Sequence, residues 1–325
     1  MTIALYCLAA SCLLLLALFL AFHTPAIFVS AKNQVVDHSV DPAALEQHVR
    51  MISEHLGPRD FSNLPGLEEV AEYVHSIFEE AGAHAKYQEY KVGATTYKNV
   101  TAEFGPETEE RIVIGAHYDS AGALPGADDN ASGVAGVLEL AKKFQKYPPK
   151  IKVELVAYCL EEPPYFRTPS MGSAVHALRL REAGKKVRAM YSLEMLGYYA
   201  DEPGSQKYPS AFLNLFYPSV GNFITVVSTY GQDNLGGRVK KAMQVATDLP
   251  VYSLTAPKFL VGIDFSDHMN YWNNDYPAVM ITDTSFYRNP NYHTPHDTAD
   301  TLDYQRMAQA VYAVWNSVIH LSEMN

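Results

Sequence analysis

The chain has 325 residues, 48% of them hydrophobic and 19% charged, with a formal net charge of -11. That composition suits a globular fold with a substantial core, as one large α/β domain or two small ones. The acidic balance, with no block of Lys or Arg, argues against a nucleic-acid partner, because phosphate binding needs a clustered positive surface. Cys7 and Cys12 lie in an apolar N-terminal run, so Cys159 stands alone in the rest of the chain and no disulfide framework is available.

The first element, from Ile3 to Phe22, reads IALYCLAASCLLLLALFLAF, about the ~20 apolar residues that span a bilayer's hydrocarbon core. It lacks the basic start of a cleaved signal and exceeds the roughly 7 to 15 residues of a signal's apolar core. The expectation is therefore a transmembrane anchor over residues 1–31, with cleavage near Val29-Ser30-Ala31 as the alternative. Lys32 is a lone cation after the span, so the positive-inside rule leaves the orientation open. A polar linker follows around residues 32–40.

Leu67, Val70, Ala71, Val74, Ile77 and Phe78 recur at helical spacing between Leu64 and Gly82, which predicts an amphipathic helix. Strand-like runs then follow at Arg111–Ala116, Ile151–Cys159, Val187–Leu193, Phe223–Ser228 and Ala278–Thr282. Helical patterning separates them at Ala131–Tyr147 and Gly172–Ala183, and a closing helix spans Tyr304–Leu321. The alternation predicts an α/β fold with a mostly parallel, mixed central sheet between helix layers. One catalytic domain over residues 32–325 is the simplest organisation, with 200–223 and 234–258 as loop-rich insertions.

In open α/β sheets ligands bind outside the carboxyl ends of the strands. Those ends carry Gly115-Ala116-His117-Tyr118-Asp119, Leu160-Glu161-Glu162 and Leu193-Glu194-Met195, and the last strand leads to Tyr292-His293-Thr294. The turn Gly126-Ala127-Asp128-Asp129-Asn130 opens a helix between the first two. Each group alone is an ordinary loop, N-cap or surface feature. Their convergence on successive strand ends suits a borderline divalent ion such as zinc, which takes imidazole and carboxylate ligands. Two ions sharing one carboxylate could activate water and polarise a carbonyl.

The segments GAHYDS (115–120), PGADDNASG (125–133), LEEPPYF (160–166), SLEMLGYY (192–199) and NPNYHTPHDTADTL (289–302) together resemble the co-catalytic zinc peptidases of the MH clan. That family includes bacterial leucyl aminopeptidases, glutamate carboxypeptidase and glutaminyl cyclases. The resemblance implies the three-layer zinc exopeptidase fold and two zinc ions per chain. It implies that His117 and Glu194 hold one ion, Glu162 and His293 the other, and Asp129 bridges them. It further implies Glu161 as general base, Asp119 as the carboxylate that orients a ligand imidazole, and a cis peptide between Asp129 and Asn130. Many members have Asp where this chain has Glu194, so the bite of that site differs.

Because Glu161 and Glu162 are adjacent, a regular strand would turn them to opposite sides, and a local bend is expected before Pro163-Pro164. Asp267 and His268 resemble a cleft-lining segment of the family, whereas His296 and Asp297 read as turn formers. Tyr198, Tyr199, Phe216 and Tyr217 are candidates for a specificity pocket, and Arg167 and Arg288 for a substrate carboxylate. The expected activity is that of an aminopeptidase acting on a peptide substrate. A carboxypeptidase and a single-zinc glutaminyl cyclase are the alternatives. The expected location is a membrane-anchored, extracytoplasmic domain, or a secreted one if the N-terminal segment is cleaved.

Overall fold

The computed structural model describes residues 6, 7, 10–14 and 39–324. Most of the expected anchor lies outside the described residues, and among the described residues no helix is long and apolar enough to cross a membrane. An eight-stranded sheet organises the domain. Its strands are β1 (Lys86–Val92), β2 (Thr95–Phe104), β3 (Glu110–His117), β4 (Lys152–Tyr158), β5 (Lys186–Glu194), β6 (Ile224–Ser228), β7 (Val251–Thr255) and β8 (Ala278–Thr282). They lie side by side as β1-β2-β4-β3-β5-β8-β6-β7. The central strands β4, β3, β5 and β8 run parallel, and antiparallel pairings at β1-β2, β2-β4 and β8-β6 make the sheet mixed. This is the architecture that the alternation predicts.

Both faces are covered by helices. Against one face pack α1 (Pro42–Arg50), α2 (Leu64–Glu80), α3 (Gly133–Lys146), α5 (Leu235–Gln244) and α7 (Tyr304–Ser322). Side chains such as Val74, Leu138, Val239 and Val314 meet Ile112, Leu155, Tyr191 and Ile281 of the sheet in one continuous core. The other face carries α4 (Gly172–Glu182) and the short α6 (His268–Trp272), with Val113, Val156, Met190 and Met280 between. Strand periodicity divides the two sets, since Val226 and Ile281 enter the first core while Val227 and Met280 enter the second.

Three regions depart from the expected organisation. The hairpin β1-β2 reads as polar because β1 is an edge strand with most of its side chains in water, so no apolar run marks it. The stretch 234–258 contains α5, which begins Leu235-Gly236-Gly237, and the edge strand β7 instead of loop alone. Its two glycines weaken the helical pattern. Helix α1 starts just after the polar linker, with Asp41 capping the Ala43 N–H and Pro42 in the first turn.

A polar network is buried on the second face. Glu154 of β4 accepts a hydrogen bond from Arg111 at 2.8 Å and lies 3.3 Å from His176 Nε2, while His176 Nδ1 meets the Tyr271 hydroxyl at 2.6 Å. Burial would raise the Glu154 carboxyl, but the charges of His176 and Arg111 hold it down at about 2. A carboxyl depressed on folding stabilises the fold above its unfolded pKa of about 4.3 and loses that contribution as pH falls through the folded value. The difference corresponds to about 3 kcal/mol. The stability gap between wild type and Glu154→Gln, followed by urea unfolding, is therefore expected to narrow from pH 5 to pH 2. A constant gap would show that the charge of Glu154 contributes nothing.

Candidate functional site

The strand order sets β4, β3, β5 and β8 next to one another, so loops from four parallel carboxyl ends meet at one edge. His117 is the last residue of β3 and Glu194 the last of β5. β4 ends at Tyr158, and Leu160 then bends the chain with a φ of +66°. The bend turns both Glu161 and Glu162 away from regular strand alternation. Met195, with φ +53°, and His293, with φ +54°, take the same left-handed conformation at the neighbouring corners. Such residues cluster where surrounding contacts over-determine the backbone.

Two buried carboxylates hold the turns. Asp119 accepts from the backbone N–H groups of Glu161 and Glu162, one oxygen each, both at 3.1 Å. Asp297 accepts in the same way from Asp128 and Asp129, both at 3.0 Å. Asn130 ties this turn to β5, donating to the Leu193 carbonyl at 2.9 Å and accepting from Met195 N at 3.0 Å. The peptide between Asp129 and Asn130 is cis. Arg59, fully buried, donates to the carbonyls of Tyr118, Pro125 and Gly126. Gly126 has φ +57°, and a Cβ there would come within 2.2 Å of the Asp129 carbonyl oxygen, so only glycine lets the turn close.

The side chains converge on one centre. Asp129 faces two imidazoles at once: its Oδ1 is 3.3 Å from His117 Nε2 and its Oδ2 is 3.0 Å from His293 Nε2. Glu194 Oε2 lies 3.5 Å from His117 Nε2, and Glu162 Oε1 lies 3.2 Å from His293 Nε2. Three overlapping groups of candidate ligands result: His117 with Asp129 and Glu194, His293 with Asp129 and Glu162, and His117 with Glu161 and Glu162, and only the first two share Asp129. Glu161 stands between them, its Oε2 3.9 Å from His117 Nε2. His117 Nδ1 is 3.1 Å from the backbone carbonyl of Asp119. That contact makes Nδ1 the donor and leaves Nε2 as the nitrogen that faces the carboxylates and could take either a proton or a cation.

The electrostatics call for added positive charge. Burial raises Glu161 far above the carboxylate range and Glu162 to about 7, where Asp129 adds repulsion. Asp129 goes the other way, since the two imidazoles pull it below the usual range against the effect of burial. Burial would lower both histidines, yet the carboxylates raise His117 well above its ordinary value and His293 to about 10. His117 Nε2 is buried, surrounded by carboxylate oxygens, and in hydrogen-bond geometry with none of them. A divalent cation fits that donor set: imidazole nitrogens and carboxylate oxygens at tetrahedral-site chemistry, with the charge of the cation replacing the protons.

The centre opens into a cavity of about 290 Å³ between the sheet and the 206–217, 261–265 and 284–287 segments. Asp129, Glu161, Glu162, Glu194 and His293 form one end, and Phe223, Val227, Leu254 and Met280 lie among the residues that form the rest. Tyr292, stacked on His293 with ring centroids 3.8 Å apart, borders the same space.

Comparison with known proteins gives this geometry a family. Residues 99–318 match the model of peptidase family M28. The chain belongs to that family. It is 47% identical over 301 residues to YfbL, an uncharacterised protein of Escherichia coli strain K12, covering 90% of this chain and 91% of that one. A probable leucine aminopeptidase of Trichophyton verrucosum is 24% identical, over 73% of this chain and 61% of that protein's length. Among solved structures, BSAP, a zinc aminopeptidase from Bacillus subtilis, superposes with a TM-score of 0.68 at 14% identity, covering 88% of this chain and 96% of that one. A glutaminyl cyclase from Fimbriiglobus ruber does so with a TM-score of 0.67 at 19% identity, covering 89% and 98%. The fold is thus shared by hydrolases and cyclases.

All seven residues singled out as catalytic or metal-binding, His117, Asp119, Asp129, Glu161, Glu162, Glu194 and His293, belong to this one region of the M28 domain. Asp119 lies beside the His117 imidazole, its Oδ1 3.5 Å and its carbonyl oxygen 3.1 Å from Nδ1, and its carboxylate also accepts from the backbone of Glu161 and Glu162. Of the aromatic candidates, Tyr217 lines the cavity and Tyr198, Tyr199 and Phe216 do not. His268 is buried against Trp272, 2.7 Å from the Ile263 carbonyl, away from the centre. Asp267 is buried close enough to Glu161 for its charge to raise it. Sequence reasoning overlooked Arg59, whose isolated position carries no local signal, and Tyr292, for which adjacency to His293 was the available one. Asp119→Ala should leave the sheet intact and weaken divalent-metal binding by roughly 10- to 100-fold, the usual cost of losing an outer partner. Chelator competition measures this, and wild-type affinity in the variant would show that the 161–162 bend holds itself.

Proposed function

We propose that this M28 peptidase is a zinc-dependent aminopeptidase that releases N-terminal residues from peptides with two zinc ions per chain. The observation that carries the reading is the position of Asp129, whose two oxygens face two different imidazoles, each with its own further carboxylate. His117, Asp129 and Glu194 would hold one ion, and Asp129, Glu162 and His293 the other. Zinc bound there supplies Lewis acidity that acidifies water and polarises the scissile carbonyl.

The remaining chemistry falls to the chain's own side chains. Glu161 could join His117 and Glu162 around an ion, but with Asp129 shared between the two ions it belongs to neither ligand group and is buried at the cavity's inner end; we assign it as the base that takes a proton from water and returns it to the leaving amine. Burial, with the charges of Asp129 and Glu162, keeps the Tyr292 phenol protonated, which makes it a donor to the carbonyl oxygen as negative charge develops. The surrounding carboxylates suit a substrate α-ammonium. A carboxypeptidase would need a cation at the cavity. Arg288 instead donates to Gln206 and to the Phe223 and Tyr198 carbonyls, and Arg167 pairs with Asp264. Neither lines the cavity, and Lys207, the lysine among the lining residues, is exposed to water. We read the apolar run at residues 3–22 as a membrane tether that holds the domain outside the cytoplasm.

Glu161→Gln is expected to keep its zinc content and lose roughly 100-fold or more in turnover, within the range of general acid–base assistance. Near-normal turnover on aminoacyl substrates would remove Glu161 from the mechanism. Zinc counting tests the paired site. Wild type should saturate at two ions, Asp129→Ala at none, and Glu194→Ala at one, because a shared carboxylate also screens cations only ~3.5 to 4 Å apart. A wild type saturating at one ion, with Glu194→Ala fully active, would favour the cyclase chemistry instead.

A further inference from the structure

One buried hydroxyl among the residues lining the cavity has no partner and no part in the proposed reaction. Sheet register places it. Glu194 of β5 pairs with Thr282 of β8, and Thr282 pairs with Thr225 of β6. The three residues form a row across the sheet, and paired residues present their side chains to the same face. Thr282 and Thr225 both line the cavity, with Glu194 at its inner end. Two strand spacings, about 10 Å, separate the ends of the row.

The polar groups deep in the cavity are otherwise engaged. Thr282 Oγ1 accepts from Thr284 N at 2.9 Å, and Thr284 Oγ1 pairs with Gln206. The hydroxyls of Tyr208 and Tyr217 donate to the carbonyls of Pro218 and Ser253, each at 2.7 Å. Thr225, only 6% exposed, has a buried hydroxyl with no partner. A buried hydroxyl without a partner is unfavourable, and a ligand that supplies one recovers the loss. The walls around it are aromatic, among them Phe166, Phe223, Phe265 and Phe286. Such walls favour an aromatic guest through offset and edge contacts.

Resting on the aminopeptidase reading, we infer that the cavity is the subsite for the N-terminal side chain and selects tyrosine, with Thr225 pairing the phenol. With the α-amine at the carboxylates, an aromatic ring lies across β8 towards β6 and brings its para hydroxyl to Thr225. Leucine ends short of that row, and phenylalanine reaches it without a polar atom. Thr225 is thus a specificity-determining residue that takes no part in bond breaking.

The test is the ratio of kcat/KM for tyrosyl and phenylalanyl anilides on the zinc-loaded enzyme. Wild type should favour tyrosine by about tenfold, the factor of one ordinary hydrogen bond. Thr225→Val, which keeps the β-branched shape, should bring the ratio to about one, and Thr225→Ser should restore it. A ratio unchanged in Thr225→Val, or leucyl anilide cleaved faster than tyrosyl, would overturn the assignment. If none of the three anilides is hydrolysed, the aminopeptidase reading fails and the subsite is judged by calorimetry with L-tyrosinamide and L-phenylalaninamide. Tighter tyrosinamide binding that is lost in Thr225→Val upholds the subsite, and equal affinities refute it.

Discussion

The site depends on two buried carboxylates that each grip a pair of consecutive backbone amides. Asp119 holds Glu161 and Glu162, and Asp297 holds Asp128 and Asp129. A carboxylate removed from water is costly unless its oxygens are satisfied, and charge-assisted bonds to N–H groups are among the stronger ways to satisfy them. Each clamp also fixes the direction in which the adjacent side chains leave the backbone. The candidate ligands are therefore oriented by carboxylates that are not themselves among the candidate ligands, which is the preorganisation a catalytic site needs.

The same arrangement leaves the site short of positive charge. Arg59 is the buried cation that closes the 118–126 loop, and it commits its N–H groups to three carbonyl oxygens and none to a carboxylate. The acidic side chains around it are thus positioned by backbone geometry, and the two imidazoles are their paired partners at the centre. Without a cation the deficit appears as raised affinity for protons at His117, His293, Glu161 and Glu162. Displacing those protons links metal uptake to pH and to the integrity of the turns.

The centre was legible in the sequence because its chemistry is carried by residue types at strand ends, in short motifs. His117, Glu161, Glu162 and Glu194 follow apolar runs that any burial argument finds, and the five central strands were placed to within a residue or two. The hairpin β1-β2, helix α5 and strand β7 were not, because edge strands and glycine-containing helices lack the periodicity on which such reading depends. Arg59 could not be found at all, since it is 58 residues from His117 in sequence and contributes through backbone carbonyls. Asp119 was found, but its main partners are amides, which no side-chain pattern encodes.

The cavity wall was the least legible part, and the reason is physical. It comes from the 206–217, 261–265 and 284–287 segments, where side chains pack by contact with one another and no repeat is imposed by a helix or strand. The centre and the wall meet at Glu194. Its Oε2 accepts from the buried Ser266 hydroxyl at 2.7 Å, and Ser266 is in turn 2.8 Å from the Ser192 hydroxyl. Ser192 lies on the same strand as Glu194 and Ser266 next to Phe265 of the cavity wall. The longer acidic side chain at this position is thereby anchored against its extra freedom, by a loop that also shapes the substrate space. A change in that loop would consequently move a candidate metal ligand and the specificity wall together, so the two cannot vary independently in this chain.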